Sequence, residues 1–231
     1  MPVAIITGAS KGLGRALGTA LAESGWDLVL DARTAGVLQE TARELSKGGA
    51  RVAALAGDVG DAGHRADLVA AARRFGGLDL LVNNASALGA APLVRLDGLA
   101  LDGLRAALET NVVAALGLVQ EALPLLRASA GAVLNVSSDA AVEPYETWGG
   151  YGVSKAALDH LSAVLGVEEP GIRVWAVDPG DMRTDLYRAA VPDDPSERPL
   201  PETVVPAFLD IIVRRPASGR YTAPDLLAGA R

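Results

Sequence analysis

Tyr151 and Lys155 stand four residues apart in a stretch, Tyr151 to Val167, whose apolar spacing predicts a helix. Residues at that spacing share one helix face and lie within reach of each other. A phenol ionises near pH ~10, so it exchanges protons at neutral pH only with a positive charge beside it, and Lys155 would supply that charge. The plainer alternative is a Tyr ring packed on an aliphatic lysine stem. Lysine scarcity favours chemistry: the chain has three lysines, Lys11, Lys47 and Lys155, and two of them stand in motifs.

Lys11 belongs to the second constellation, Gly8-Ala9-Ser10-Lys11-Gly12-Leu13-Gly14, which follows an apolar run and opens a helical pattern. Glycines let the backbone turn sharply and approach a ligand, while free N–H groups and the positive end of the helix dipole attract a pyrophosphate. An ordinary tight strand-to-helix turn is the competing reading. The position between strand and helix is the context a dinucleotide fingerprint requires. A third group, Asp31-Ala32-Arg33, ends the second apolar run. An acid there accepts hydrogen bonds from an adenosine 2′-OH, and a nearby Arg accommodates a 2′-phosphate, so Asp31 and Arg33 point to NAD and NADP respectively. Arg33 could also simply pair with Asp31.

The elements that must position these residues alternate. Strands are expected at Val3–Thr7, Asp27–Asp31, Ala50–Ala56, Leu78–Val82, Ala132–Ser137, Ile172–Val177 and Gly219–Thr222, and helices at Gly12–Ser24, Ala35–Lys47, Asp61–Phe75, Leu99–Thr110, Asn111–Arg127, Tyr151–Val167 and Pro201–Arg214. That rhythm is the pattern of βαβ units, and the continuous apolar strands suit a parallel sheet covered on both faces. Four prolines between Tyr187 and Pro201 predict an irregular loop. With no repeat or low-complexity linker, residues 1–231 are expected to form a single domain.

Composition narrows the chemistry. With no cysteine and two histidines, His64 and His160, thiolate and His-cluster metal sites have no ligands, so no metal is expected. A net charge of -7 argues against nucleic acid as a partner. Mean hydropathy is +0.26, yet apolar runs such as Val112 to Val119 are far shorter than the ~20 residues that span a bilayer, so no membrane partner is expected. The first residues show no export signal, and the expected compartment is cytoplasmic.

The order of motifs carries a resemblance. Thr7-Gly8-x-x-x-Gly12-x-Gly14, Asp58-Val59, Asn83-Asn84-Ala85, Asn111, Ser137-Ser138, Tyr151-x-x-x-Lys155 and Pro179-Gly180 together resemble the short-chain dehydrogenase/reductase family over nearly the whole chain. The resemblance implies an α/β, Rossmann-type doubly wound parallel sheet of about seven strands. It implies hydride transfer between a nicotinamide and a small carbonyl or alcohol substrate, with Tyr151 as general acid/base and Lys155 lowering its pKa and holding the nicotinamide ribose. The family serine stands thirteen residues before the tyrosine, which selects Ser138 to orient the substrate oxygen. Ser137 reads as a strand-end residue bonding backbone.

Asn111 resembles the family residue whose carbonyl completes a proton relay, and an N-cap is its simpler role. Asp58 would bind adenine with Val59 packing beside it, or cap the next helix. Asn84 and Ala85 would line the ribose, Pro179-Gly180 would re-aim the chain, and Thr184 would bond the carboxamide. Ser86 replaces the glycine usual after Asn-Asn-Ala. Arg33 and Lys11 match the NADP-dependent branch, so NADP(H) is expected over NAD(H). The substrate loop falls at about 183–201, with Met182 as wall. The alternatives are an NAD(H)-dependent alcohol dehydrogenase and a noncatalytic dinucleotide-binding sensor or scaffold. Apolar side chains on the helices from Asn111 and Tyr151 predict a homodimer or homotetramer.

Overall fold

The expected strand segments become seven strands: β1 (Val3–Ile6), β2 (Asp27–Ala32), β3 (Val52–Ala56), β4 (Leu80–Asn83), β5 (Ala132–Val136), β6 (Arg173–Asp178) and β7 (Gly219–Thr222). They form one parallel sheet in the order β3-β2-β1-β4-β5-β6-β7 in the computed structural model, which describes residues 1–229. Residues 230–231 of the expected domain lie outside the described residues. The order reverses between β1 and β4, and in open α/β sheets ligands bind at that switch point beyond the carboxyl ends of the strands.

Both sheet faces are apolar, so each carries helices. Helices α1 (Gly12–Glu23), α2 (Ala35–Leu45) and, from the end of the chain, α8 (Val205–Arg214) cover one face, where Leu17, Leu38, Phe208 and Trp175 are buried. The other face is covered by α3 (Ala62–Phe75), α5 (Ala114–Ser129) and α6 (Gly149–Glu168), which bury Leu68, Leu118 and Leu126 against Ile5 and Val133. Asp61 caps α3 by accepting the His64 N–H at 2.9 Å, as its position predicts.

Two expectations change. The break expected at Asn111 is absent: α4 (Leu101–Leu108) runs into α5 through a π-helical turn, Glu109–Val113, so Asn111 is not an N-cap. Side-chain bonds hold Asn111 inside the joined helix and replace the capping role. This helix, residues 101–129, carries an apolar stretch of mean hydropathy 1.4, long and apolar enough by composition to cross a bilayer, whereas its separate runs are too short. Here it packs along α3 and α6. Secondly, a short helix, α7 (Asp185–Ala190), occupies the first part of the expected loop, because Thr184 caps it and the prolines begin only at Pro192. In addition, α9 (Ala223–Gly229) follows β7 directly.

Candidate active site

The turn after β1 is built by backbone contact. Gly8 adopts φ +64°, and a Cβ there would lie 3.0 Å from the Ala85 Cα, so a side chain is excluded by both conformation and space. Gly14 is closer still: its Cβ would lie 2.5 Å from Asn84 Nδ2 and 2.6 Å from the Gly8 carbonyl. Asn84 fastens the turn by donating Nδ2 to the carbonyls of Thr7 at 2.8 Å and Gly8 at 3.2 Å. Thr7 Oγ1 in return accepts the N–H groups of Asn84 and Ala85, each at 3.0 Å. No side chain caps α1, so its first-turn N–H groups are free for an anion.

Asp31 and Arg33 part ways. Asp31 is buried, with Oδ1 2.6 Å from His64 Nε2 and Oδ2 accepting the Gly8 N–H at 3.4 Å. Burial pushes its carboxyl up, and the His64 partner opposes that. Arg33 is exposed, lines the cleft and has no ionic partner among the described residues, so the Arg33–Asp31 pair does not form. Lys11 reaches across the cleft mouth to Asp185 at 3.0 Å.

At the other end, α6 delivers Tyr151 and Lys155, which are 6% and 2% exposed. The Lys155 ammonium lies 5.5 Å from the Tyr151 ring centroid and donates to the Val136 carbonyl at 2.7 Å. Helix α6 approaches the turn after β5 so closely that a Cβ on Gly152 would lie 2.5 Å from the Ala140 carbonyl, which brings Ser138 to the phenol. Ser138 Oγ donates to Asp139 Oδ1 at 3.0 Å and accepts the Ala140 N–H at 3.2 Å. Trp148 meets the Tyr151 ring edge-on, with centroids 5.7 Å apart.

Burial pushes the Tyr151 phenol up; the hydroxyls of Ser86 and Ser138 pull it back, and the Asp178 and Asp139 carboxylates add to the rise. Burial also brings the Lys155 ammonium down, to about 8. The phenol therefore keeps its proton at neutral pH, and burial outweighs the downward pull expected of Lys155.

One cleft of about 320 Å³ joins the two ends. It is lined by Gly8, Lys11, Gly12, Leu13, Arg33, Asn84, Ala85, Ser138, Tyr151, Lys155, Pro179, Gly180 and Thr184. Thr184 also caps α7, its Oγ1 accepting the Tyr187 N–H at 3.1 Å. Ser10 and Gly14 do not line the cleft, and Gly14 serves helix packing instead. Nor do Asp58 and Val59: Asp58 is exposed and closes its own loop by accepting the Gly60 N–H at 2.8 Å, and Val59 is buried. Asn111 sits behind the cleft, its amide bonded to both backbone groups of Ala87 and to Ser154 Oγ at 2.8 to 2.9 Å. Ser137 does not bond backbone through its side chain: its buried Oγ has no partner among the described residues.

Two contributors were invisible in sequence. His64 has ordinary helical surroundings in the chain and meets Asp31 only through the β2–β3 pairing. Arg220, on β7, donates to the Ser138 carbonyl at 3.1 Å and to Asp159 at 2.9 Å, a link that spans 82 residues of sequence to Ser138.

The chain is similar to several known proteins. Residues 2–195 match the family described as short chain dehydrogenase. The chain is 34% identical to sepiapterin reductase of Rattus norvegicus over 201 residues, 81% of this chain and 77% of that protein. It is 32% identical to an uncharacterized oxidoreductase of Mycobacterium tuberculosis over 202 residues, 86% of this chain and 76% of that one. Among solved structures, the alcohol dehydrogenase of Thermococcus sibiricus complexed with 5-hydroxy-NADP superposes with a TM-score of 0.86 at 27% identity, covering 96% of this chain and 95% of that one. A short chain dehydrogenase from Escherichia coli complexed with NADPH gives 0.89 at 26% identity and 96% of both chains.

Proposed function

The chain belongs to the short-chain dehydrogenase family, and we propose that it is an NADP(H)-dependent oxidoreductase interconverting a carbonyl and an alcohol on a small organic substrate. The observation that carries this reading is the single cleft with Tyr151, Lys155 and Ser138 at one end and the uncapped glycine turn with Arg33 at the other.

Gly8, Gly12 and the start of α1 would hold the pyrophosphate, Arg33 the 2′-phosphate, and Lys155 the nicotinamide ribose. When bound, the nicotinamide supplies or accepts the hydride. Tyr151 gives its proton to the carbonyl oxygen in reduction and takes it back from the alcohol in oxidation. Ser138 orients that oxygen once its hydroxyl turns from Asp139. Asn111 fixes the Ala87 backbone and, through Ser154, the helix that carries Tyr151.

NADP(H) is supported by the charges at the mouth. Asp31, the residue that would favour NAD(H), is spent on His64 and Gly8, whereas Arg33 is free to meet a phosphate. The NADP-type ligands in the two similar structures support the same choice. The exposed apolar side chains of the long helix and α6 support a homodimer or homotetramer.

Tyr151→Phe tests the mechanism. Carbonyl reduction should fall by about 10²- to 10⁴-fold, the usual contribution of a general acid, while NADPH binding by fluorescence titration is unchanged and remains tighter than NADH binding. Reduction at the wild-type rate by this variant sinks the mechanism, and tighter NADH binding sinks the cofactor assignment.

A further inference from the structure

Ser86 stands where the family pattern has glycine, in the wall of the cleft that holds Tyr151. Its neighbours on both sides are clamped: the Ala85 N–H donates to Thr7 Oγ1 at 3.0 Å, and Ala87 donates to and accepts from the Asn111 amide at 2.8 and 2.9 Å. The serine is thus held in place by bonds it does not itself make. Its own Oγ is sealed from solvent and has no hydrogen-bond partner among the described residues. A buried hydroxyl without a partner costs stability, so one retained at a rigid position in a reaction cleft calls for a function. The nearby phenol supplies one, since Ser86 and Ser138 are the two hydroxyls that draw the Tyr151 ionisation downward against burial.

We infer that Ser86 is a further residue of the reaction centre, whose hydroxyl donates a hydrogen bond to the Tyr151 oxygen and stabilises the phenolate left when the proton passes to substrate. In that step the Tyr151 O–H bond breaks and an O–H bond forms on the substrate oxygen. The charge left on the phenol oxygen is met by the Ser86 O–H, which is neither broken nor transferred, and the phenolate regains a proton from solvent. The hydrogen bond is stronger to the phenolate than to the phenol, because bonds to charged groups are roughly twice as strong as neutral ones. It therefore favours the state reached after transfer, and in oxidation it favours the base that begins the reaction.

The inference rests on Tyr151 as proton donor, which Tyr151→Phe tests separately. Its own test needs no substrate. A fluorinated tyrosine at position 151 brings the ionisation into a range where the fold survives, and its phenolate absorbance is followed against pH with Ser86 intact and with Ser86→Ala. Removal of the hydroxyl should move the ionisation up by about one pH unit, a tenfold change in the proton equilibrium. Ser86→Thr, which keeps the hydroxyl, should restore the original midpoint. In unlabelled enzyme, Ser86→Ala should lower kcat about tenfold at neutral pH without loss of thermal stability, since in the resting protein the Ser86 Oγ makes no hydrogen bond for the substitution to remove and its bond to Tyr151 tightens only on the phenolate. Coincident titrations for Ser86 and Ser86→Ala overturn the inference even if the enzyme is active, and so does a loss of Tm that accounts for the drop in kcat.

Discussion

Burial acts in opposite directions on the two partners of the Tyr151–Lys155 pair. It holds the proton on the phenol and brings the ammonium down to about 8, and each shift favours the neutral form. For Lys155 the consequence for stability has a definite sign. Between about 8 and its usual 10.5 the unfolded chain holds the proton that the folded chain has lost, so stability rises with pH across that window. Compared with Lys155→Met, the wild type should gain up to roughly 3 kcal/mol of unfolding free energy over that range, measured by urea denaturation at a series of pH values. A pH-independent difference would contradict the lowered ammonium. The motif residues were legible because chemistry fixed both their type and their spacing. What sequence could not supply was the partner of each: Asp31 reads as a ribose acid until β2 and β3 bring His64 to it, and Ser137 reads as a backbone-bonding residue until its oxygen is found alone.

Asn111 shows how one residue can join elements that sequence treats as separate. A helix break was expected there because Asn favours N-caps, yet its side chain instead bonds Ala87 and Ser154 while the backbone passes through a π-turn. Such turns are rare and cluster at functional sites, and they leave no periodic signal in hydropathy. The three bonds link the long helix to the loop after β4 and to α6. Asn111→Ala would leave the Ala87 N–H and carbonyl without partners, at about 1–3 kcal/mol for each buried group left unsatisfied, while the Ser154 hydroxyl keeps the Tyr151 carbonyl as its acceptor. Partial relaxation reduces the total, and the expected loss is about 3 kcal/mol in urea unfolding, with kcat falling because both Ser86 and Tyr151 lose their support. A loss below about 1 kcal/mol would show that the amide is not what fixes these elements. The short α7 was missed for a different reason: the prolines beyond it dominated the composition of the segment, while the Thr184 cap that starts it is a single residue.

Across the molecule, the alternation of strands and helices specified a parallel sheet because most strands are short apolar runs covered on both faces, with β7 (Gly-Arg-Tyr-Thr) the exception, and the strand order followed only from the structure. The same apolar richness leaves a remainder that the chain does not bury. Val113 is 50% and Leu116 37% exposed on the joined helix, and Val153 is 53% and Val164 39% exposed on α6. Leu116 and Leu161 border a narrow crevice between the two helices, so part of this surface is continuous. Covering a side chain of this size contributes about 1.5–3 kcal/mol when burial is complete, and several together are needed to outweigh the roughly 4–15 kcal/mol lost on association. Both helices also carry residues of the proposed reaction centre, so a partner pressed on their outer faces would brace Asn111, Tyr151 and Lys155 from behind. The wild type should therefore run as a dimer or tetramer in sedimentation velocity at micromolar concentration. Leu116→Glu combined with Val164→Glu, which places a carboxylate on each helix without touching the cleft, should shift it to monomer and lower its Tm. A wild-type mass equal to one chain under those conditions rules the assembly out, and the exposed valines and leucines would then be ordinary surface.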